Sequence, residues 1–234
     1  MDAATASSGR IPPLRVPPEL WLCRACLGTL DEGRAGICGR CWSRLQDLPE
    51  ARCPLCALSH GSCPPRAAPW SWGDACWDYH GLGSLLVPAI KRGELGWKAA
   101  LLDRFRRRPP PVEAYGFDLV VPAPTARLRR WLRGFDLAEE AARILAQATG
   151  AAYGALLRKP FYTRPQASLP EGRRRRMGAR VGLRPGVCVA GAAVLVVDDV
   201  WTTGTTLRRC AGVLLAAGAR DVGVLALFRS MRGL

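Results

Sequence analysis

The stretch Val194-Leu195-Val196-Val197-Asp198-Asp199-Val200-Trp201-Thr202-Thr203-Gly204-Thr205-Thr206 decides the fold of this chain. With Ala193, its first residues make an uninterrupted apolar run through Val197, as expected of a central parallel strand covered on both faces. The strand delivers two adjacent carboxylates to its C-terminal end, the edge at which open α/β sheets bind ligands. A loop of small hydroxyl residues around one Gly follows. A helix from about Thr205 to Ala217 then begins, closed by Gly218. Thr hydroxyls and unpaired N–H groups at a helix N-terminus suit a phosphate, since orphan donors and the helix dipole both favour negative charge. The carboxylates of Asp198 and Asp199 would repel that phosphate; they suit sugar hydroxyls, which donate to them, and a divalent cation such as Mg2+. Phosphate, vicinal diol and metal together describe a ribose 5-phosphate group. The Lys of a nucleotide-binding P-loop and the pattern G-x-G-x-x-G are both missing, which excludes the usual kinase and dinucleotide readings.

Outward from this motif the second half alternates strands and helices. Gly83–Arg92 and Glu94–Arg106 carry apolar residues at helical spacing. Phe117 to Val121 reads as a buried strand, ended by Pro122-Ala123-Pro124 and a basic loop with Arg127, Arg129, Arg130 and Arg133. Asp136 and Glu139 form a capping box that opens a helix running to about Gly150. A second basic loop spans Lys159 to Arg184, and Val222–Phe228 is the last strand. The fold class expected is an α/β domain with an open, mostly parallel sheet over residues 77–234.

Cysteine marks the first half. Eight of the ten Cys precede residue 80, six of them as C-x2-C pairs: Cys23/Cys26, Cys38/Cys41 and Cys53/Cys56. Each pair can turn as a knuckle that points two thiolates at one place, and two knuckles complete a tetrahedral zinc site. Thiols so spaced in a reducing compartment read as metal ligands rather than disulfides. Residues 21–76 therefore read as a Cys-rich module with zinc on Cys23, Cys26, Cys38 and Cys41. A second zinc on Cys53 and Cys56 would need Cys63, His60, Cys76 or His80, and the pairs could instead alternate between sites. Cys188 and Cys210 read as packing residues.

The chain's 234 residues, 49% of them hydrophobic, supply a core and exclude a disordered basic tail. No apolar run is long enough for a transmembrane helix. Residues 1–20 are polar and then Pro-rich, a loose leader rather than a signal peptide, so a cytoplasmic location is expected. The net charge is +15, and 31 of the 34 basic residues are Arg. Between Leu101 and Arg184 eighteen basic residues face seven acidic ones, more than a pyrophosphate site needs. Such a surplus suits single-stranded DNA or RNA, held by guanidinium–phosphate contacts and stacking on some of the eight Trp, of which Trp70, Trp72 and Trp77 cluster beside the Cys-rich module. A solvated Arg-rich face from a biased composition is the alternative. His60 and His80, the only histidines, read as structural, and no nucleophile–His arrangement supports hydrolytic catalysis.

The segment Asp198 to Thr206 resembles the phosphoribosyl pyrophosphate motif of type I phosphoribosyltransferases. With the cysteine pairs, Ile90-Lys91-Arg92-Gly93, Val121-Pro122-Ala123-Pro124, Arg133-Gly134-Phe135, Gln166, Leu169 and Arg174, the chain is similar to the competence protein F (ComF) family. The resemblance implies a phosphoribosyltransferase fold behind a zinc module, linked to DNA uptake. Asp198 and Asp199 would then face the ribose hydroxyls as catalytic residues, and Thr202, Thr203, Gly204, Thr205 and Thr206 would hold the 5-phosphate. Arg130, Arg133 and Arg174 would serve pyrophosphate or the mobile loop over the site. The implied cofactors are structural Zn2+ and Mg2+ with phosphoribosyl pyrophosphate. The implied partners are phosphoribosyl pyrophosphate or a nucleotide, single-stranded DNA and the competence helicase machinery. Asp136 and Met177 stand where the family usually has Asn, and Arg66 stands where a fourth cysteine pair would close. Two functions follow: a phosphoribosyltransferase, or a non-catalytic protein that handles single-stranded nucleic acid.

Overall fold

A computed structural model describes residues 22–23, 25–28, 37–59, 68–110, 112–125, 131–159 and 181–230. In chain order the elements are α1 (Gly39–Trp42), β1 (Trp72–Asp78), α2 (Leu82–Lys91), α3 (Leu95–Arg107), β2 (Leu119–Pro122), α4 (Leu137–Thr149), β3 (Ala152–Tyr153), β4 (Leu157–Arg158), β5 (Gly182–Leu183), β6 (Ala193–Trp201), α5 (Thr205–Ala216) and β7 (Asp221–Arg229). Five strands form one sheet in the order β1-β7-β6-β2-β3, with every neighbouring pair parallel. β4 and β5 form a separate antiparallel pair. The open, parallel α/β sheet expected from the sequence is therefore present.

β6 occupies the middle of that sheet because its first five residues are buried on both faces. Strand period two sends Leu195 and Val197 into a core shared with α2, α3 and α4, and Val194 and Val196 into a second core shared with α5. Truncating a side chain such as Leu195 to Ala would cost about 2–5 kcal/mol, because neither face has solvent to fill the hole. The helices end as the sequence demands. Asp136 caps α4, its carboxylate accepting from Ala138 N at 3.1 Å and Glu139 N at 3.4 Å, and Gly150 closes it in the left-handed region.

Three features depart from the sequence reading. β6 continues through Trp201, so Asp198 and Asp199 sit inside the strand rather than after it. β1 starts at Trp72, on the N-terminal side of the expected change at residue 77, and runs parallel to β7. Cys188 is exposed and so does no packing, whereas Cys210 is buried as expected.

The Cys-rich segment is stitched to this sheet edge. Asp47 bridges antiparallel to Trp77, and Asp78 N donates to Gln46 O at 2.9 Å. Arg52 grips the buried Asp74 carboxylate of β1 with two bonds, of 2.6 and 2.7 Å. Among the described residues no helix is long and apolar enough to cross a membrane.

Candidate functional site

At the C-terminal edge of β6 the two carboxylates meet different surroundings. The Asp198 carboxyl accepts Asp199 N at 2.9 Å. Burial, with the negative charge of Asp199 beside it, pushes its pKa up to about 7. Lys159 and Lys91 act in the opposite sense. Asp199 is paired directly: Lys91 Nζ, from the last turn of α2, lies 2.6 Å from its Oδ2. Asp136 lies on the same side. Burial raises its carboxyl above the usual range, with the charge of Asp199 adding and a bond from Thr125 opposing. The acid at 136 is thus a helix cap that also shares the field of the acidic pair.

The turn after β6 stays open to solvent. Thr202, Thr203 and Thr205 are exposed, and Thr206 is half-buried. Thr203 Oγ1 and Thr205 Oγ1 stand 2.9 Å apart. Gly204 takes a left-handed φ of 72° at the N-cap of α5 and, having no side chain, does not itself cap the first N–H groups. A Cβ at Gly204 would come within 2.8 Å of Trp201 Nε1, so the turn is seated on the Trp201 ring. Sequence reasoning brought the acids and the turn together, and the fold sets both at one sheet edge.

A cleft of about 980 Å³ opens beside this edge rather than over the turn. Its lining runs from Pro122, Ala123, Pro124 and Thr125 after β2 to Asp136 and Glu139 at the start of α4. Arg158, Lys159 and Arg184 border the other side, and Trp131, 79% exposed, stands among the lining residues. Arg133 is half-buried next to it and does not line the cleft. Arg130 and Arg174 lie outside the described residues. Trp70, Trp72 and Trp77, which the sequence clusters beside the Cys-rich module, are buried in the cores and offer no stacking platform.

Four sulfurs gather where the first two cysteine pairs meet. Those of Cys23, Cys26, Cys38 and Cys41 all lie within 4.8 Å of one another. The Cys26–Cys38 separation is 3.7 Å, close to the roughly 3.8 Å edge of a tetrahedron with zinc–sulfur bonds of about 2.3 Å. Burial opposes ionisation of Cys23, but bonds from the N–H groups of Cys38, Ala25 and Cys26 outweigh it and bring the thiol down to about 6. Burial and the three neighbouring thiols push Cys41 up to about 12. The cluster is chemically compatible with structural zinc.

The first and third pairs share one backbone design. In the first, Cys23 N donates to Gly28 O and Leu27 N to Cys23 O, with Leu27 at a φ of 59°. In the third, Cys53 N donates to Leu58 O and Ala57 N to Cys53 O, with Ala57 at a φ of 57°. Leu55 N also points at Cys53 Sγ, 3.4 Å away. The other residues considered for a second site divide. Cys76 lies on β1, and His80 holds Asp78 at 2.8 Å, a structural pairing. Cys63 and His60 lie outside the described residues.

Sequence reasoning passed over two cations of the site. In the sequence Lys91 stands within a family-like tetrapeptide and Lys159 starts a basic loop; neither carries a local signal that Lys91 will pair with Asp199 or that the charge of Lys159 will reach Asp198.

No protein-family profile matches the chain. In sequence it is similar to the DNA utilization protein YhgH of Escherichia coli O157:H7, 30% identical over 236 residues that span 93% of this chain and 100% of the relative. The YhgH protein of Salmonella typhimurium shows the same identity and coverage. The competence protein ComFC of Streptococcus pneumoniae is 34% identical over 99 residues, 42% of this chain and 41% of that one. Among solved structures, the glutamine phosphoribosylpyrophosphate amidotransferase from B. subtilis is 29% identical, with 56% of this chain and 26% of that chain covered and a TM-score of 0.38. Orotate phosphoribosyltransferase from Aeropyrum pernix is 20% identical, with 63% and 67% covered and a TM-score of 0.36. On its full-length sequence relatives, the chain belongs to the ComF family, that of the DNA utilization protein YhgH and the competence protein ComFC.

Proposed function

We propose that the chain binds phosphoribosyl pyrophosphate, or a related nucleotide, with Mg2+ at the C-terminal edge of β6, and that this binding serves DNA uptake, in keeping with relatives named for DNA utilization and competence. The observation that carries the reading is one sheet edge holding two adjacent carboxylates and an exposed threonine turn whose N-cap is a glycine. Asp198 and Asp199 accept hydrogen bonds from the ribose hydroxyls. Thr202, Thr203, Gly204, Thr205 and Thr206 surround the 5-phosphate with hydroxyl and amide donors. Arg130, Arg133 and Arg174 face the pyrophosphate. Asp198 and Asp199 would also hold Mg2+, which would neutralise charge on the pyrophosphate.

As an enzyme the protein would break the bond between the anomeric carbon and pyrophosphate and form one from that carbon to a nucleophile. Orientation and charge stabilisation by Arg supply the catalysis, with no general base assigned. Zinc on Cys23, Cys26, Cys38 and Cys41 holds the Cys-rich module of residues 21–76. A second zinc uses Cys53 and Cys56, whose backbone repeats the design of the first knuckle, with Cys63. The protein works in the cytoplasm with the competence helicase machinery.

Calorimetry with phosphoribosyl pyrophosphate and Mg2+ tests the site. Binding is expected for the parent and lost in Asp199→Ala; a variant that binds as well as the parent refutes the assignment. Release of pyrophosphate would establish turnover.

A second reading, a non-catalytic handler of single-stranded nucleic acid, is favoured by the exposed Trp131 on a cleft bordered by Arg158, Lys159 and Arg184. An aromatic face beside cations suits a stacked base and its phosphate. Affinity for single-stranded DNA should then fall steeply with added salt, and unchanged affinity removes this reading.

A further inference from the structure

Arg229, the last residue of β7, is a cation only 7% exposed, and it sits between the Cys53–Cys56 knuckle and the threonine turn. Its hydrogen bonds among the described residues all go to backbone carbonyls. Nε donates to Cys56 O at 3.0 Å. The two N–H groups of one terminal nitrogen are shared among three carbonyls, Trp201 O at 2.8 Å, Thr202 O at 2.7 Å and Ser230 O at 2.7 Å. The guanidinium also lies over the Trp201 ring, 4.9 Å from its centroid.

The knuckle is fixed to the sheet through three consecutive carbonyls. Pro54 O accepts from Gly73 N at 2.6 Å, Leu55 O from Trp70 Nε1 at 2.7 Å, and Cys56 O from Arg229. Trp70 in turn meets Trp201 edge to face at 5.5 Å, and Trp201 is the floor on which Gly204 rests. Two of these three links, those from Leu55 O and Cys56 O, therefore lead to the root of the threonine turn. The guanidinium's single Nε–H has Cys56 O as its acceptor, so losing that carbonyl leaves a buried, charged donor unmet, a cost larger than that of a neutral bond. Its plane is rigid, so a shift of Cys56 O is passed on to Trp201 O and Thr202 O.

We infer that Arg229 is a positioning residue that joins the Cys53–Cys56 knuckle and the Thr202–Thr206 turn into one unit, so that occupation of the two thiols by a soft metal ion such as zinc fixes the geometry of the turn. Coupling of this kind is reciprocal: whatever orders the turn also tightens the knuckle by the same factor. The inference bears on ligand binding only through the function proposed above, but the coupling itself is read without any phosphoribosyl ligand.

Amide hydrogen exchange on the full chain tests it. In Cys53→Ser/Cys56→Ser, peptides covering residues 201–206 should exchange roughly tenfold faster or more, the change expected for one lost bond to a charged group. Peptides covering α4 should keep their parent rates. Arg229→Lys, which keeps the charge and loses the planar fork, should speed exchange in both 53–58 and 201–206. Combined with the knuckle substitutions it should add little more, since one link has already been cut. Where the double substitution also deprotects α4 and so unfolds the chain, Cys56→Ser alone is held to the same criterion. Unchanged exchange at 201–206 in a folded knuckle variant, or fully additive effects, would overturn the proposal.

Discussion

Burial and the charge of Asp199 push the Asp198 carboxyl up to about 7, whereas in the unfolded chain it titrates near 4. Between those values the folded protein holds a proton that the unfolded chain has released, so this residue's contribution to stability falls as pH rises from about 4 to about 7 and is level above that. Asp198→Asn removes the effect. The variant's Tm advantage over the parent should therefore grow across this window, and thermal scans at several pH values check it; a constant difference would contradict the account. Asp199 is held differently, by a half-buried ion pair with Lys91 at 2.6 Å. Lys91→Met leaves that carboxylate without its cation and should destabilise the fold by about 1–3 kcal/mol, between the values for exposed and buried pairs. Adding Asp199→Asn should recover most of the loss, and denaturant unfolding of the two single variants and the double variant reads this directly.

At the scale of elements, α4 and the turn before α5 impose opposite demands. The first is capped by a side chain, so Asp136→Ala should cost about 1 kcal/mol, while Asp136→Asn keeps the cap and removes a carboxylate that burial disfavours. The asparagine variant should match or exceed the parent's Tm. Gly204 instead needs a left-handed backbone hard against Trp201, so Gly204→Ala should cost at least about 1–2 kcal/mol, visible as a lower denaturant midpoint. These elements were legible in the sequence because their signals are local: five apolar residues in a row, a cap three residues from Glu139, a Gly between threonines. β1 was not, because Trp72-Gly73-Asp74-Ala75-Cys76-Trp77-Asp78 carries a Gly and two Asp and lacks the β-branched residues that mark a strand. Its place is fixed by contacts made elsewhere, as when Arg52 pairs with Asp74. Arg229, 28 residues from Trp201, and Lys91 are invisible for the same reason: a single basic residue acquires its role only when the sheet brings its partner alongside.

Across the whole molecule, the cysteine cluster and the sheet share one interior. Cys23, Ile37, Cys41 and Leu45 are buried in the same core as Leu195, Leu225 and Phe228. The bridge from Asp47 to Trp77 and the Arg52–Asp74 pair extend that continuity along the β1 edge. A segment so attached cannot melt without exposing the face of the sheet beneath it, so metal binding by the four thiolates should stabilise the entire fold rather than a separate appendage. A zinc ion present at a thousand times its Kd contributes about 4 kcal/mol. Chelation should then lower the Tm by roughly 8–16 °C for a chain of this size. The loss should be cooperative, with far-ultraviolet circular dichroism and tryptophan fluorescence reporting one shared transition before and after the metal is removed. Two separated transitions, the upper one unmoved by chelator, would show instead that the sheet stands without its cysteine-rich edge.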